Sequence, residues 1–190
     1  MPVEALFLKQ FERDLTLKDG SRVQVRPIRP DDARRLIELY DRLSRDTAYH
    51  RFFTVMRRLP PDWARFLADV DYVRRFALVV ERAVADHVEL IAVARYEPAE
   101  PGTAEVAFVV QDGWQGMGLG TLLLGDLLRA ARANGIERFR AWVLADNRRM
   151  LDLLARFTEV RERTLQQGVV ELICVARTAG PPGAPGGSGA

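Results

Sequence analysis

The chain has 190 residues, 48% hydrophobic and 28% charged, with a formal net charge of only +2 at pH 7, which fits one domain with a real core. Its basic residues are almost all arginine, 26 against Lys9 and Lys18, a side chain suited to phosphate and carboxylate, yet no basic block is long enough to suggest a nucleic-acid groove. One cysteine, Cys174, excludes an intrachain disulfide and a cysteine zinc cluster, and His50 and His87 lie far apart, so metal chemistry has no visible ligands.

Residues 1–14, MPVEALFLKQFERD, read as an N-terminal extension with acids too early for a signal peptide. No apolar run approaches the roughly 18 residues of a membrane span, so a soluble cytoplasmic protein with neither a membrane nor a nucleic-acid partner is expected. DLTLKDGSRVQVRPIR reads as a hairpin turned at Asp19-Gly20. Pro30-Asp31-Asp32 opens a helix whose Leu36, Ile37, Leu39, Tyr40 and Leu43 recur at helical spacing. Shorter helices are expected at about 46–53 and 61–70, the first with Tyr49, His50, Arg51, Phe52 and Phe53 in a basic and aromatic cluster. Burial in the core is the expected role of Phe52 and Phe53. Arginines that alternate with acids, such as Arg34, Arg35, Arg129, Arg132 and Arg138, are expected to face solvent.

FALVVERAV and ELIAVARY form two antiparallel strands, and TAEVAFVV, after the short gap PAEPG, a third. The helix carrying Leu122, Leu123, Leu127, Leu128 and Ala131 stops at Asn134-Gly135 and leads into the strand ERFRAWVL. A strand, helix, strand unit of this kind is normally parallel. Asp146-Asn147 caps another helix with Met150, Leu151, Leu154 and Phe157 inward, and VRERTL and VVELICVA are the last strands. The fold class is α/β with a mixed, mostly antiparallel sheet flanked by helices. From residue 178 the Pro/Gly-rich tail AGPPGAPGGSGA follows Thr178 with almost nothing to bury and is expected to be disordered.

Between TAEVAFVV and the helix lies a turn with three glycines in five residues, Gly116, Gly118 and Gly120. Such a turn lets backbone N–H groups approach an anion, and the helix adds the positive end of its dipole. A dinucleotide fingerprint would need glycine where Thr121 stands, and a P-loop would need lysine after Gly120. Glu105 is an acid in an otherwise apolar strand, where partial burial would raise its pKa and suit a general base; an ordinary solvent-facing strand residue is the other reading.

The pattern that fits the turn is Gln/Arg-x-x-Gly-x-Gly/Ala, met by Gln115-Gly116-Met117-Gly118-Leu119-Gly120. With VRPIRPDDA at 25–33, YHRFF at 49–53, AEVAFVV at 104–110, WQGMGLGTLLL at 114–124 and VLADNRRML at 143–151, the sequence resembles the Gcn5-related N-acetyltransferases (GNAT). Among them it is most similar to the acetyltransferase domain of bacterial Pat-type protein-lysine acetyltransferases, over roughly 15–176. The resemblance implies the GNAT fold over 15–177 and acetyl-CoA as donor, with CoA as product. It implies pyrophosphate binding by N–H groups from Gln115 through Thr121 and pantetheine pairing by Val109 and Val110. It also implies that Asn147 lies near the pantetheine arm and that Glu105 is the catalytic base. Met117 and Leu119 are expected to brace the loop or touch the cofactor, Thr121 to donate to phosphate or cap its helix, and Asn147 to cap its helix, contact the donor, or both.

Two departures stand out. Many GNAT proteins place a tyrosine where this chain has Arg149-Met150-Leu151-Asp152-Leu153-Leu154, and relatives usually read Leu-Gly-Phe where it has Ala155-Arg156-Phe157. The acceptor expected from the resemblance is a protein lysine. A small-molecule amine acetyltransferase and a non-catalytic acyl-CoA-binding regulatory protein are the alternatives. Some Pat-type proteins carry cyclic-nucleotide or CoA-ligase-like modules for which this length has no room, so regulation by fusion is not expected.

Overall fold

A computed structural model describes residues 3–54 and 56–177; the expected disorder of the tail lies outside the described residues. Eight strands form one sheet in the order β1-β2-β3-β4-β5-β6-β8-β7. They are β1 (Arg13–Thr16), β2 (Arg22–Pro27), β3 (Phe76–Val84), β4 (His87–Pro98), β5 (Thr103–Val110), β6 (Arg138–Leu144), β7 (Thr158–Gln166) and β8 (Val169–Ala176). Only β5 and β6 run parallel, because the 15-residue helix α5 (Leu119–Ala133) carries the chain back along the sheet between them. All other neighbours are antiparallel.

Helices cover both faces. On one, α5 packs with α6 (Arg148–Phe157) through Leu119, Leu123, Leu127, Leu154 and Phe157 onto Ala104, Val106 and Phe139. α1 (Val3–Lys9) joins this layer. Residues 3–14, expected as an extension, bring Phe11 fully into the core against Phe76, ring centroids 5.3 Å apart. On the other face, α2 (Ala33–Asp41), α3 (Arg45–Phe52) and α4 (Pro61–Ala68) cover Ala77, Val79, Val93 and Val109.

The segment VRPIRPDD explains how this second layer is anchored. Arg26 and Asp32 are almost wholly buried. Arg26 donates to both Asp32 carboxylate oxygens, at 2.7 and 2.8 Å, and to Glu81 on β3. Asp32 also accepts from the Arg29 N–H and from Arg35, so Arg35 turns inward to a buried acid where an exposed surface arginine was expected. Burial works against charge on Asp32, but these hydrogen bonds outweigh it and hold its carboxyl below the ordinary value.

Phe52 packs edge-on between Tyr40 and Trp63, as a core aromatic should. Phe53 does not: it ends α3 in a left-handed conformation, φ 55°, and is 36% exposed. The reversal at the helix end turns its ring away from the layer its neighbour joins.

Candidate active site

β5 and β6 pair only at their beginnings, Thr103 with Arg138, Ala104 with Phe139 and Glu105 with Arg140. Beyond Glu105 each strand stays with its other neighbour, β5 with β4 to Val110 and β6 with β8 to Leu144. The sheet therefore opens into a wedge whose apex is Glu105. A cavity of about 540 Å³ fills it, within the usual range for a small-molecule site. Its walls come from α3, β5, the glycine turn, β6 and the start of α6.

An open strand edge presents unpaired backbone groups. The Gln111 N–H donates to Ile91 O at 2.9 Å, in the register that sets Val110 opposite Ala92 and Val109 opposite Val93. Because backbone direction alternates along a strand, Val109 turns its backbone to β4, whereas Phe108 and Val110 turn theirs to the wedge. Of the two valines expected at the pantetheine, only Val110 meets the cleft this way. Val109 packs its side chain in the core beneath α2 to α4 but also lines the cavity, and Phe108, passed over in the sequence, takes the second edge position.

The glycine turn lies at the wide end. Gly116 and Gly118 have φ 78° and 89°, conformations that favour glycine. Gly118 is the N-cap of α5 and offers no side-chain cap, so the N–H groups of the first helical turn are left for an external acceptor. Gln115, Gly116, Leu119 and Gly120 line the cavity, whereas Met117, Gly118 and Thr121 are not among its lining residues. Leu119 is buried in the core and anchors the turn. Gln115 braces it, donating through Nε2 to Val110 O at 3.0 Å and Thr47 Oγ1 at 3.2 Å.

The same turn positions α3. Asp112 accepts from the Ser44 N–H (2.9 Å), Ser44 Oγ (2.6 Å) and Thr47 Oγ1 (2.7 Å). Burial opposes the charge on Asp112, but these bonds prevail and hold its carboxyl below the ordinary value. Ser44 also caps α3 through Thr47 N. One turn later His50, Arg51 and Phe53 reach the cavity wall. His50 Nε2 lies 3.2 Å from Asp146 Oδ1 across the wedge, while Tyr49 is exposed and outside the lining residues.

Glu105 is half-buried at the apex. Its sequence neighbours Ala104 and Val106 face the α5 side, so the apolar surroundings expected from the strand belong to the opposite face. Its own face carries a row of charges: Glu97 opposite it on β4 and Arg140 beside it on β6. Glu97 is neutralised by Arg75 (2.6 Å) and Arg95, and Arg140 contacts Glu100 (2.5 Å) and Glu171 (3.0 Å). The Glu105 carboxylate has no hydrogen bond or ion pair with any described residue, although it interacts electrostatically with Arg51 and Arg140.

Asn147 caps α6, its Oδ1 accepting from Met150 N at 3.2 Å, and also lines the cavity. Capping is therefore in place, with the amide nitrogen left over for a ligand. Met150, Leu153 and Leu154 follow into the wall, and no tyrosine is among the lining residues. Among the described residues there is no cluster of three or more metal-binding side chains, and no helix is long and apolar enough to cross a membrane.

The match to known proteins follows this geometry. The model of the Acetyltransferase (GNAT) family matches residues 34–158. An acetyltransferase of Pseudomonas aeruginosa is 32% identical over 149 residues, 78% of this chain and 80% of that protein. Acetyltransferase Pat of Mycolicibacterium smegmatis is 35% identical over 146 residues, 76% of this chain but 43% of Pat, so the chain spans less than half of that relative. Among solved structures, the GNAT domain of S. lividans PAT superposes with a TM-score of 0.75 at 35% identity, covering 86% of this chain and 96% of that domain.

Proposed function

Because the chain belongs to the acetyltransferase (GNAT) family, we propose that it transfers the acetyl group of acetyl-CoA to the side-chain amine of a protein lysine, with Glu105 as general base. The observation that carries this reading is the position of Glu105: at the apex of the wedge, in the cavity wall, and alone in its row without a direct ion pair. A lysine amine, pKa about 10.4, is almost fully protonated at neutral pH and must lose a proton before it attacks. A carboxylate with no competing partner has free oxygens to take that proton. The same position argues against a non-catalytic acyl-CoA sensor.

Acetyl-CoA supplies, when bound, a thioester activated toward amines. The residues present fit it: the N–H groups from Gln115 through Thr121 would hold the pyrophosphate, the backbone edge of Phe108 and Val110 the pantetheine amides, and the Asn147 amide the arm beyond. Thr121 adds its hydroxyl near the phosphates in this reading, while Leu119 and Met117 brace the turn. In this reading the acetyl group lies toward the apex at Glu105 and the phosphates lie at the wide end. No tyrosine lines the cavity to protonate the leaving sulfur; in this reading the thiolate leaves unaided or takes a proton from water, since a thiol is a far better leaving group than an alkoxide.

A protein acceptor is supported by the resemblance to Pat-type enzymes and by the exposed aromatic rings of Phe53 and Trp142 on the cavity rim, against which a lysine stem can lie. Incubation with acetyl-CoA and candidate proteins, read by mass spectrometry, is expected to produce new acetyl-lysines. Turnover of free amines alone, in a panel run beside it, would select the small-molecule alternative.

A further inference from the structure

The arginines buried inside this protein are matched: Arg26 holds Asp32 and Glu81, and Arg95 holds Glu97 and the Leu67 carbonyl. Arg51 is different. It lies half-buried in the last turn of α3, in the cavity wall, and its guanidinium makes no hydrogen bond or ion pair with a described residue. Its close contact is the face of the adjoining Phe52 ring, 4.7 Å from the centroid. Burial and then repulsion from Arg95 pull the guanidinium down to about 10, against the opposing pull of Glu105 and Glu97. At neutral pH it is still charged, a cation with no counter-ion in contact among the described residues.

The carboxylates nearby do not supply one. Glu97 is held by Arg75 and Arg95, and Asp146 lies against His50. Glu105 feels the charge of Arg51 but is not in ion-pair contact with it. Arg148 and Arg149 also line the cavity without an ion pair, but both are exposed to solvent. Among the described residues, Arg51 is thus the one half-buried guanidinium of the cavity wall without a carboxylate, and Glu105 is a carboxylate close enough to interact with it and too far away to join it.

We infer that this gap selects an acceptor whose reacting amine lies beside a carboxylate, the amine nitrogen at Glu105 and the carboxylate on the Arg51 fork: a lysine flanked by aspartate or glutamate in a protein chain. A guanidinium receives a carboxylate through paired N–H donors, which gives direction as well as attraction. The inference rests on the reading of Glu105 as the base, and it gives Arg51 a specificity role distinct from chemistry.

The test uses the full chain, acetyl-CoA and three peptides alike except that the single lysine is flanked by aspartate, glutamine or arginine, with free lysine and lysine amide as small-molecule arms. The aspartate peptide is expected to be favoured by about 10- to 100-fold in kcat/KM, mostly in KM, as a charge-assisted hydrogen bond implies. Arg51→Met should erase that preference while keeping acetyl-CoA affinity, Arg51→Lys should retain part of it, and Arg51→Glu should move it to the arginine peptide. Equal use of the peptides by the wild type overturns the inference. So does Arg51→Met if it slows all peptides alike and shifts the pH–rate profile, since Arg51 would then act only through Glu105. If no peptide reacts but free amines do, the protein-lysine reading fails. Selection of free lysine over its amide, lost in Arg51→Met, would then keep the carboxylate on Arg51, and no selection between them would remove it.

Discussion

Replacing Glu105 by glutamine separates chemistry from folding unusually well. Glutamine has nearly the same shape, and the carboxylate has no hydrogen bond or ion pair to lose, so folding stability should change by no more than about 0.5 kcal/mol. The backbone pairing of β5 with β4 and β6 does not depend on this side chain. Acetyl-CoA affinity by calorimetry should likewise hold, because the donor-binding groups lie farther along the wedge. Loss of a general base typically slows transfer by about 10²- to 10⁴-fold, or about 2.7–5.5 kcal/mol in the barrier at about 1.36 kcal/mol per tenfold. Single-turnover acetylation, which isolates the chemical step, should show this loss. Near-wild-type transfer by a folded Glu105→Gln protein that binds acetyl-CoA would refute the base assignment and leave positioning of an already deprotonated amine as the simpler account.

Gly118→Trp should abolish acetyl-CoA binding in calorimetry: any side chain at φ 89° strains the backbone by about 1–2 kcal/mol, and an indole would crowd the N–H groups of the turn. Unchanged affinity in a folded variant would contradict the phosphate site. Asp32→Asn should cost about 3–5 kcal/mol in denaturant melts, since it leaves buried Arg26 without its main partner. Because the folded-state pKa of Asp32 is depressed, its contribution is present above the unfolded value of about 3.9 and fades as pH falls through the lower folded one. Wild type and variant should therefore converge in stability only below about pH 4; a gap independent of pH would contradict the charge argument. Asn147→Ala should lose about 1 kcal/mol from the α6 cap, lowering Tm by roughly 2–4 °C, and should raise the acetyl-CoA KM if the amide also holds the donor.

The parts that sequence reasoning identified are local. Leu123, Leu127 and Ala131 announce α5 by spacing alone, and Gly116, Gly118 and Gly120 announce a turn that side-chain-bearing residues rarely form, because six consecutive residues contain the whole device. The cap at Asn147 is of the same kind. The parts that sequence misjudged are settled by distant neighbours. Glu105 looks surrounded by apolar residues when its strand is read in a line, but period two sends Ala104 and Val106 to the opposite face, and its true neighbours come from positions 51, 97 and 140. Phe53 reads like Phe52, yet a left-handed turn between helix and loop sends it outward.

By itself the sequence determined the mixed sheet, the chain order of its elements and the glycine turn, since each is written in hydrophobic period or turn chemistry, whereas Glu105 as candidate base came from the resemblance to Pat-type enzymes. Only the tertiary structure decided that β5 and β6 part beyond Glu105, that Phe108 and Val110 turn their backbone to the wedge, and that Arg51 has no side-chain hydrogen bond or ion pair among the described residues. Beyond Glu105, β6 keeps to β8, about thirty residues later in the chain, and β5 keeps to β4, so the two facing edges part and the wedge lies between them. Whether a charge is paired depends on what every other segment places beside it, and no window of the chain contains that information.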